Sequence, residues 1–249
     1  MPHVKEILMN KLPVILLSIL AVALPAQDAM RAAAKVTRLE GTASMMRNGG
    51  GKWRPVRPGM AVKQGDQLYT RAESFVELKY ENGAVVRMDE NTKVTIESAT
   101  ATEAETKTGI GNVWVNMKKI ASGSKKFEIT SPTAVAAIRG TAFTMQTDRD
   151  SSSSVSVYNG KVAVGPSDEL KKWQQQQKPK PPRQEPVEVP GPEEVPGPYE
   201  VSLEAWTTIV AGQRILIRKD GKFAKESISM EQKGQSNFVQ KNLKLDREM

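Results

Sequence analysis

Chemistry needs side chains that can hold a proton, an electron pair or a metal near neutral pH, and this 249-residue sequence is short of them. It contains no cysteine, and its one histidine is His3. Without thiols there is no disulfide, thiolate nucleophile, thiolate metal site or lipidated cysteine. If His3 is removed by processing, as argued below, the Ser-His-Asp and Cys-His triads and the common zinc sites are excluded as well. Carboxylates remain. Glu77, Asp89, Glu97 and Glu128 are the candidates for a glycosidase pair, which needs two carboxyl groups about 5–10 Å apart. Glu77, Glu97 and Glu128, however, alternate with apolar neighbours and are expected to face water. A Ser–Lys dyad drawn from Ser122 or Ser124 with Lys125 or Lys126 falls in a stretch that reads as an exposed loop. The expectation is a non-enzymatic protein with no catalytic residue, no metal site and no cofactor.

The elements that would position any site begin after an export signal. Lys5 and Lys11 precede an apolar run from Leu12 to Leu24, followed by Pro25-Ala26-Gln27. A positive head, a short apolar stretch and a small residue at its end have the form of a secretory signal peptide. The run is shorter than the ~20 residues a helix needs to span a bilayer. Residues 1–26 are therefore expected to be removed after Ala26, with Ala23 or Ala29 as alternatives, whether translation starts at Met1 or Met9. No membrane span is expected in the mature form. The charge balance is basic, with 36 Lys+Arg against 28 Asp+Glu and a formal +8. The charges are interleaved rather than clustered with aromatics, and export makes nucleic acid an unsuitable partner.

From residue 35 to 165 the sequence reads as strand and turn. Phe75 to Tyr80 alternates, with Val76, Leu78 and Tyr80 on one face and Glu77 and Lys79 on the other. Asn82-Gly83 follows, and then Val86 and Met88 flank Arg87. Asn-Gly supplies the positive φ angles of a tight hairpin. The same grammar recurs at Val155, Val157, Asn159-Gly160, Val162 and Val164, and again where Ile215 and Ile217 precede Asp220-Gly221. Many short strands at close spacing predict an all-β fold of antiparallel strands, a sandwich or a solenoid-like stack. Gly140 inside an apolar stretch marks a bulge or a close backbone approach. Trp53, Trp114 and Trp206 are expected to be packing residues, whereas Trp173 is the one best placed for a partner contact.

Residues 166–199 change character. Trp173 is followed by four glutamines and then by eight prolines between Pro179 and Pro198. So little apolar surface cannot offset ordering entropy, so a disordered, extended insertion is expected. Residues 200–221 are strand-like again but too short to stand alone, and are expected to return and complete the first β unit. Residues 222–249 are charged, with a short helix at 237–247 or disorder as the alternatives.

Four phrases in order resemble the FecR domain, the extracytoplasmic module of iron-dicitrate-type regulators. The first runs from Trp53 through Gly59 to Gly65-Asp66 and Thr70. The second is the strand, Asn82-Gly83, strand unit. The third is Ser131-Pro132 followed by Ile138-Arg139-Gly140-Thr141-Ala142-Phe143. The fourth is Val155 to Val162 around Gly160, with Val210-Ala211-Gly212 after the insertion. The resemblance spans about residues 35–165 and 200–221, and the motif residues read as architectural. Full regulators of this type imply a cytoplasmic anti-sigma segment and a membrane span ahead of the domain. Here the domain follows the export signal directly, so that signalling role is not expected to carry over.

What remains is an exported, periplasmic or extracellular module of the cell envelope. It is expected to bind another envelope protein or an envelope polysaccharide through exposed strand edges and the long tract. The alternative is a structural or assembly role in which the Pro-rich arm extends the protein's reach.

Overall fold

The structure is a computed structural model and describes residues 33–118, 125–177, 206–228 and 236–249. The expected export signal, Ser122 and Ser124, and the proline run lie outside these residues.

The protein is all-β: two nine-stranded sheets face each other across one apolar core. The first sheet contains β1 (Ala34–Glu40), β4 (Ala61–Val62), β6 (Phe75–Tyr80), β7 (Val85–Met88), β10 (Gly111–Met117), β13 (Thr141–Thr147), β14 (Ser153–Asn159), β17 (Gln213–Ile217) and β18 (Phe223–Ser227). The second contains β2 (Ala43–Met46), β3 (Arg54–Pro55), β5 (Gln67–Thr70), β8 (Lys93–Ala99), β9 (Glu103–Thr108), β11 (Lys126–Thr130), β12 (Ala134–Ile138), β15 (Lys161–Pro166) and β16 (Thr207–Val210). The spatial order is 18-17-14-13-10-7-6-1-4 in the first sheet and 16-15-12-11-9-8-5-2-3 in the second. After the first four strands the chain lays one or two strands in one sheet, crosses the core, and lays the next in the other. It is a sandwich with the progressive winding of a solenoid. Pairing is antiparallel except between β9 and β11, where the chain places the single strand β10 in the opposite sheet before returning beside β9.

Period-two patterning explains the core. Val76, Leu78 and Tyr80 on β6, Val86 and Met88 on β7, Val113, Val115 and Met117 on β10, and Phe127 and Ile129 on β11 all point between the sheets. Tyr80 stacks edge-on against Phe127 at 5.3 Å. Its hydroxyl lies 2.6 Å from Thr106 Oγ1, which provides a partner for a buried phenol whose pKa burial pushes well up.

The Asn-Gly turns divide into two kinds. Asn82-Gly83 joins β6 to β7 and Asp220-Gly221 joins β17 to β18, each within one sheet. The first is looser than the two-residue turn expected. Only Gly83 has positive φ, and the Asn82 amide reaches across to the Lys126 carbonyl at 2.9 Å. Asn159-Gly160 is not a hairpin at all: β14 and β15 belong to different sheets. Alternation on both sides of a glycine turn says that both strands face the core. It does not say whether they lie side by side or on opposite sides of it.

Beyond β15 the polar stretch begins with a helix, α1 (Asp168–Gln177), rather than extended chain. Ser167 caps it by accepting from Leu170 N at 3.0 Å, Leu170 is buried and Trp173 packs on the core. One buried and one partly buried apolar anchor order a segment whose composition is otherwise polar. After the undescribed residues, β16 pairs with β15 and β17 with β14. The 222–249 region then supplies both a strand, β18, and a helix, α2 (Asn237–Arg247), capped by Ser236.

Three of the four sheet edges are poorly suited to accept another strand, whereas β18, five residues long and mostly exposed, leaves its outer side open. β3 and β4 have two residues each, and β3 contains Pro55. On β16 the Thr208 carbonyl accepts from Lys225 Nζ at 3.2 Å, and Val210 N donates to Gln213 Oε1 at 3.1 Å. Among the described residues no helix is long and apolar enough to cross a membrane.

Candidate functional site

Three crossings between the sheets gather at one end of the sandwich. The chain passes from β12 to β13 at Gly140, from β14 to β15 at Gly160 and from β16 to β17 at Gly212, with φ of +80°, +82° and +85°. The corners are tied together. Thr141 Oγ1 donates to the Lys161 carbonyl at 2.9 Å, Ala211 N to the Gly160 carbonyl at 3.1 Å, and Gly212 N to the Val157 carbonyl at 2.9 Å. A Cβ on Gly160 would sit 2.7 Å from the Gly140 carbonyl oxygen, so the two corners approach too closely for any side chain there. The Arg-Gly-Thr phrase is thus a pair of corners locked by a threonine hydroxyl, and it leaves the Arg139 side chain exposed.

Beside these corners lies a groove of about 820 Å³. Its walls are the end of β10, the β12–β13 and β14–β15 crossings, and the last turn of α2. Four exposed cations line it: Lys118, Arg139, Lys161 and Arg247. Among its described lining residues the one acid is Asp246, and it is engaged elsewhere.

Asp246 belongs to a clasp that pattern reading missed. On the outer face of the first sheet, Arg87 is fully buried. Its Nε donates to Glu77 Oε2 at 2.6 Å, and its Nη1 donates to Asp246 Oδ1 at 2.5 Å and to Asn242 Oδ1 at 3.3 Å. The other Asp246 oxygen accepts from Trp114 Nε1 at 3.0 Å. Trp114 is fully buried and stacks on Tyr158, with ring centroids 5.0 Å apart. Phe238, Val239 and Leu245 of α2 close over Phe75, Trp114 and Ala142. Glu77 is therefore not a solvated carboxylate. Burial alone would raise its pKa, but hydrogen bonds from Thr37 and Arg87 and the charges of Arg87 and Arg38 outweigh this and hold it below the usual value. The signal in the sequence was the pair of a tryptophan and an arginine on nominally outward positions of β10 and β7, together with apolar residues spaced along 238–245.

The other carboxylates do not converge. Glu77 lies on the outer face of the first sheet, whereas Glu97 and Glu128 belong to the second. Glu97 is exposed, at a register shift between Ile96 and Ser98. Glu128 is half-covered beside Glu105 on the neighbouring strand; burial, then the charges of Glu105 and Asp168, raise its pKa. Asp89, at the end of β7, is also raised by burial, with partial compensation from hydrogen bonds of its neighbours.

The remaining motif residues are spread along the sandwich. Asp66 is buried and accepts from Arg47 Nη1 at 2.6 Å and from the backbone of Lys63 and Asn48, fixing the turn that Gly65 opens at φ +80°. Thr70 Oγ1 bonds the Asp89 and Thr92 carbonyls, Phe143 is in the core, Gly59 turns at φ +87°, and Pro132 lies beside the buried Ser131–Thr133 hydroxyls. Two tryptophans depart from the expected packing role: Trp53 is 44% exposed and Trp206, lying over Gly165, is 55% exposed. Both flank edge strands, where one ring face has no sheet to cover it. Trp173 sits against the core with Lys219 Nζ 5.6 Å from its ring. Of the motif residues, Arg139, Gly140, Thr141 and Gly160 meet at the groove.

A two-sheet sandwich wound across its own core, with glycine corners at the crossings, defines the class of domain. Residues 66–163 match the family model described as FecR protein, and this stretch, β5 to the middle of β15, is a FecR domain. The match includes the Gly140 and Gly160 corners and ends before Gly212. Two crystal structures of a candidate anti-sigma factor from Parabacteroides distasonis, at 1.65 and 2.50 Å, are similar at 14% identity and a TM-score of 0.46. The alignment covers 66% of this chain and 61% of that protein, so the chain spans less than two thirds of it. No curated protein matches the chain.

Proposed function

We propose that this FecR-domain chain is an exported, non-catalytic binding module of the cell envelope, and that its contact surface is the groove at the Arg139-Gly140-Thr141 corner. The groove itself carries the reading. A rigid pair of corners holds a ring of cations around a concavity of about 820 Å³, within the ~300–1,000 Å³ range of ligand sites. The blunted edges at β3, β4 and β16 favour this surface over strand addition there. The Lys5/Lys11 head with its apolar run, and the extracytoplasmic setting of FecR domains in their family, support export.

The test is fractionation and crosslinking in intact cells. An N-terminally shortened chain in the envelope fraction, crosslinked to an envelope component from a photoreactive residue at position 118 or 161, is expected. Full-length chain confined to the cytosol, or no crosslinked product from the groove, would overturn the reading.

A further inference from the structure

We infer that the groove binds an acidic glycan, a sugar chain carrying carboxylate or phosphate groups. This rests on the reading of the groove as the contact surface and names its ligand. The first argument is charge. Lys118, Arg139, Lys161 and Arg247 arrive from four separate elements: the end of β10, the β12–β13 crossing, the start of β15 and the last turn of α2. Among the described residues Lys118, Lys161 and Arg247 form no ion pair. Like charges brought around one concavity repel each other, and an anion placed between them relieves that repulsion.

Asp246, the one acid among the described wall residues, does not supply a counter-charge to Lys118, Lys161 and Arg247. Asp246 has Oδ1 turned to Arg87 and Oδ2 to Trp114, and Arg87 is buried beneath it. The clasp therefore withdraws this carboxylate from the ligand and at the same time fixes the α2 turn that presents Arg247.

The second argument is size and lining. A concavity of about 820 Å³ is too large for a single phosphate and fits several linked units. Between the cations stand Asn116 and Asn159, which offer amide groups of the kind that hydrogen-bond sugar hydroxyls. The Arg247 guanidinium can grip a planar carboxylate or phosphate in bidentate fashion.

The third argument separates a glycan from an acidic protein segment. Protein partners gain most of their affinity from a desolvated apolar or aromatic centre. Here the large aromatic, Trp114, is already fully buried under α2. The groove is walled by crossings and a helix end, not by an open strand, so an extended peptide finds no ladder to join.

The purified chain should bind an oligogalacturonate, the carboxylate probe, and a phosphorylated oligosaccharide, the phosphate probe. It should bind an uncharged maltodextrin of the same length at least ~10-fold more weakly, as expected when charge-assisted contacts supply the affinity. The Lys161→Glu/Arg247→Glu double variant changes two exposed side chains and should melt as the wild type does. It should lose roughly tenfold or more of the acidic-glycan affinity, because reversal turns attraction into repulsion. Equal binding by variant and wild type, or tighter binding of a poly-glutamate peptide of matched charge, would overturn the inference. The parent reading is judged separately by crosslinking in cells. Envelope crosslinks that persist in the double variant would sink the glycan assignment alone, whereas their absence from the wild type would sink the binding module itself.

Discussion

The inter-sheet core and the cluster under α2 hold this domain together by different rules. Between the sheets, residues such as Leu78, Val115, Phe127 and Val157 are fully buried and meet almost nothing but other apolar side chains. Under α2, the rings of Phe75, Trp114 and Phe238 surround a buried guanidinium held by two carboxylates and an amide. The first cluster depends on area removed from water and tolerates any apolar side chain of the right volume. The second depends on geometry: remove one acceptor and a charge stays buried without it. The core therefore sets how stable the sandwich is, and the clasp sets where α2 sits, and with it one wall of the groove.

The widest gap between the two should come from paired truncations. Phe127→Ala leaves a cavity beside Tyr80 and should cost about 3–5 kcal/mol, read as a shift in the denaturant midpoint of the whole domain. Asp246→Ala deprives Arg87 of one of its acceptors and Trp114 of its acceptor and should cost less, about 1.5–3 kcal/mol. It should also be local. Hydrogen exchange should rise in α2 while the core strands stay protected, and tryptophan emission should shift to the red as Trp114 meets water. Equal loss of protection across both sheets would mean that the clasp is part of the global fold and that the division drawn here is wrong.

A smaller effect compares two glycines with nearly the same backbone. Gly160 (φ +82°) and Gly83 (φ +90°) both sit where an L side chain is strained. A Cβ at Gly83 meets nothing within 4 Å, whereas one at Gly160 meets the Gly140 carbonyl. Gly83→Ala should cost only the left-handed penalty of about 1–2 kcal/mol, and Gly160→Ala measurably more. Equal costs in thermal melts would show that the corners can spread, and that the groove they border is softer than its geometry suggests.

This contrast between regions is also a contrast in legibility. The core strands could be read because alternation is a local property of sequence: Val76, Leu78 and Tyr80 declare a face whatever they pack against. The special backbone at Gly140 could be read for the same reason, since a glycine between two apolar runs demands one. The crossing at Asn159-Gly160 could not be distinguished from a hairpin, because both leave Val157 and Val162 pointing inward. Glu77 looked solvated because its strand assigns it an outer face, and the same alternation pointed to no partner for Arg87. Only a helix more than a hundred residues downstream turns that face into an interior. The groove combines both failures, being made where crossings and a distant helix end meet.

The smallest predicted effect concerns pH and isolates Glu77 within the clasp. Its pKa is held below the ordinary glutamate value of about 4.3, so over that interval the folded protein binds fewer protons than the unfolded chain. The stability Glu77 contributes is then fully present above the ordinary value and is lost as pH falls through its lowered folded value. Asp89 and Glu128 are shifted upward, and their contribution runs the other way: protonation favours the folded state, so they lose stability as pH rises through their window. The wild-type profile mixes these opposing slopes. Comparing urea midpoints of wild type and Glu77→Gln from pH 7 to pH 3 separates them. The difference between the two proteins should be largest at neutral pH and should shrink as the medium becomes acidic enough to protonate Glu77 in the folded state. A difference that stays constant across the range would mean that Arg87 takes its charge compensation from Asp246 alone, and that α2 rather than β6 carries the clasp.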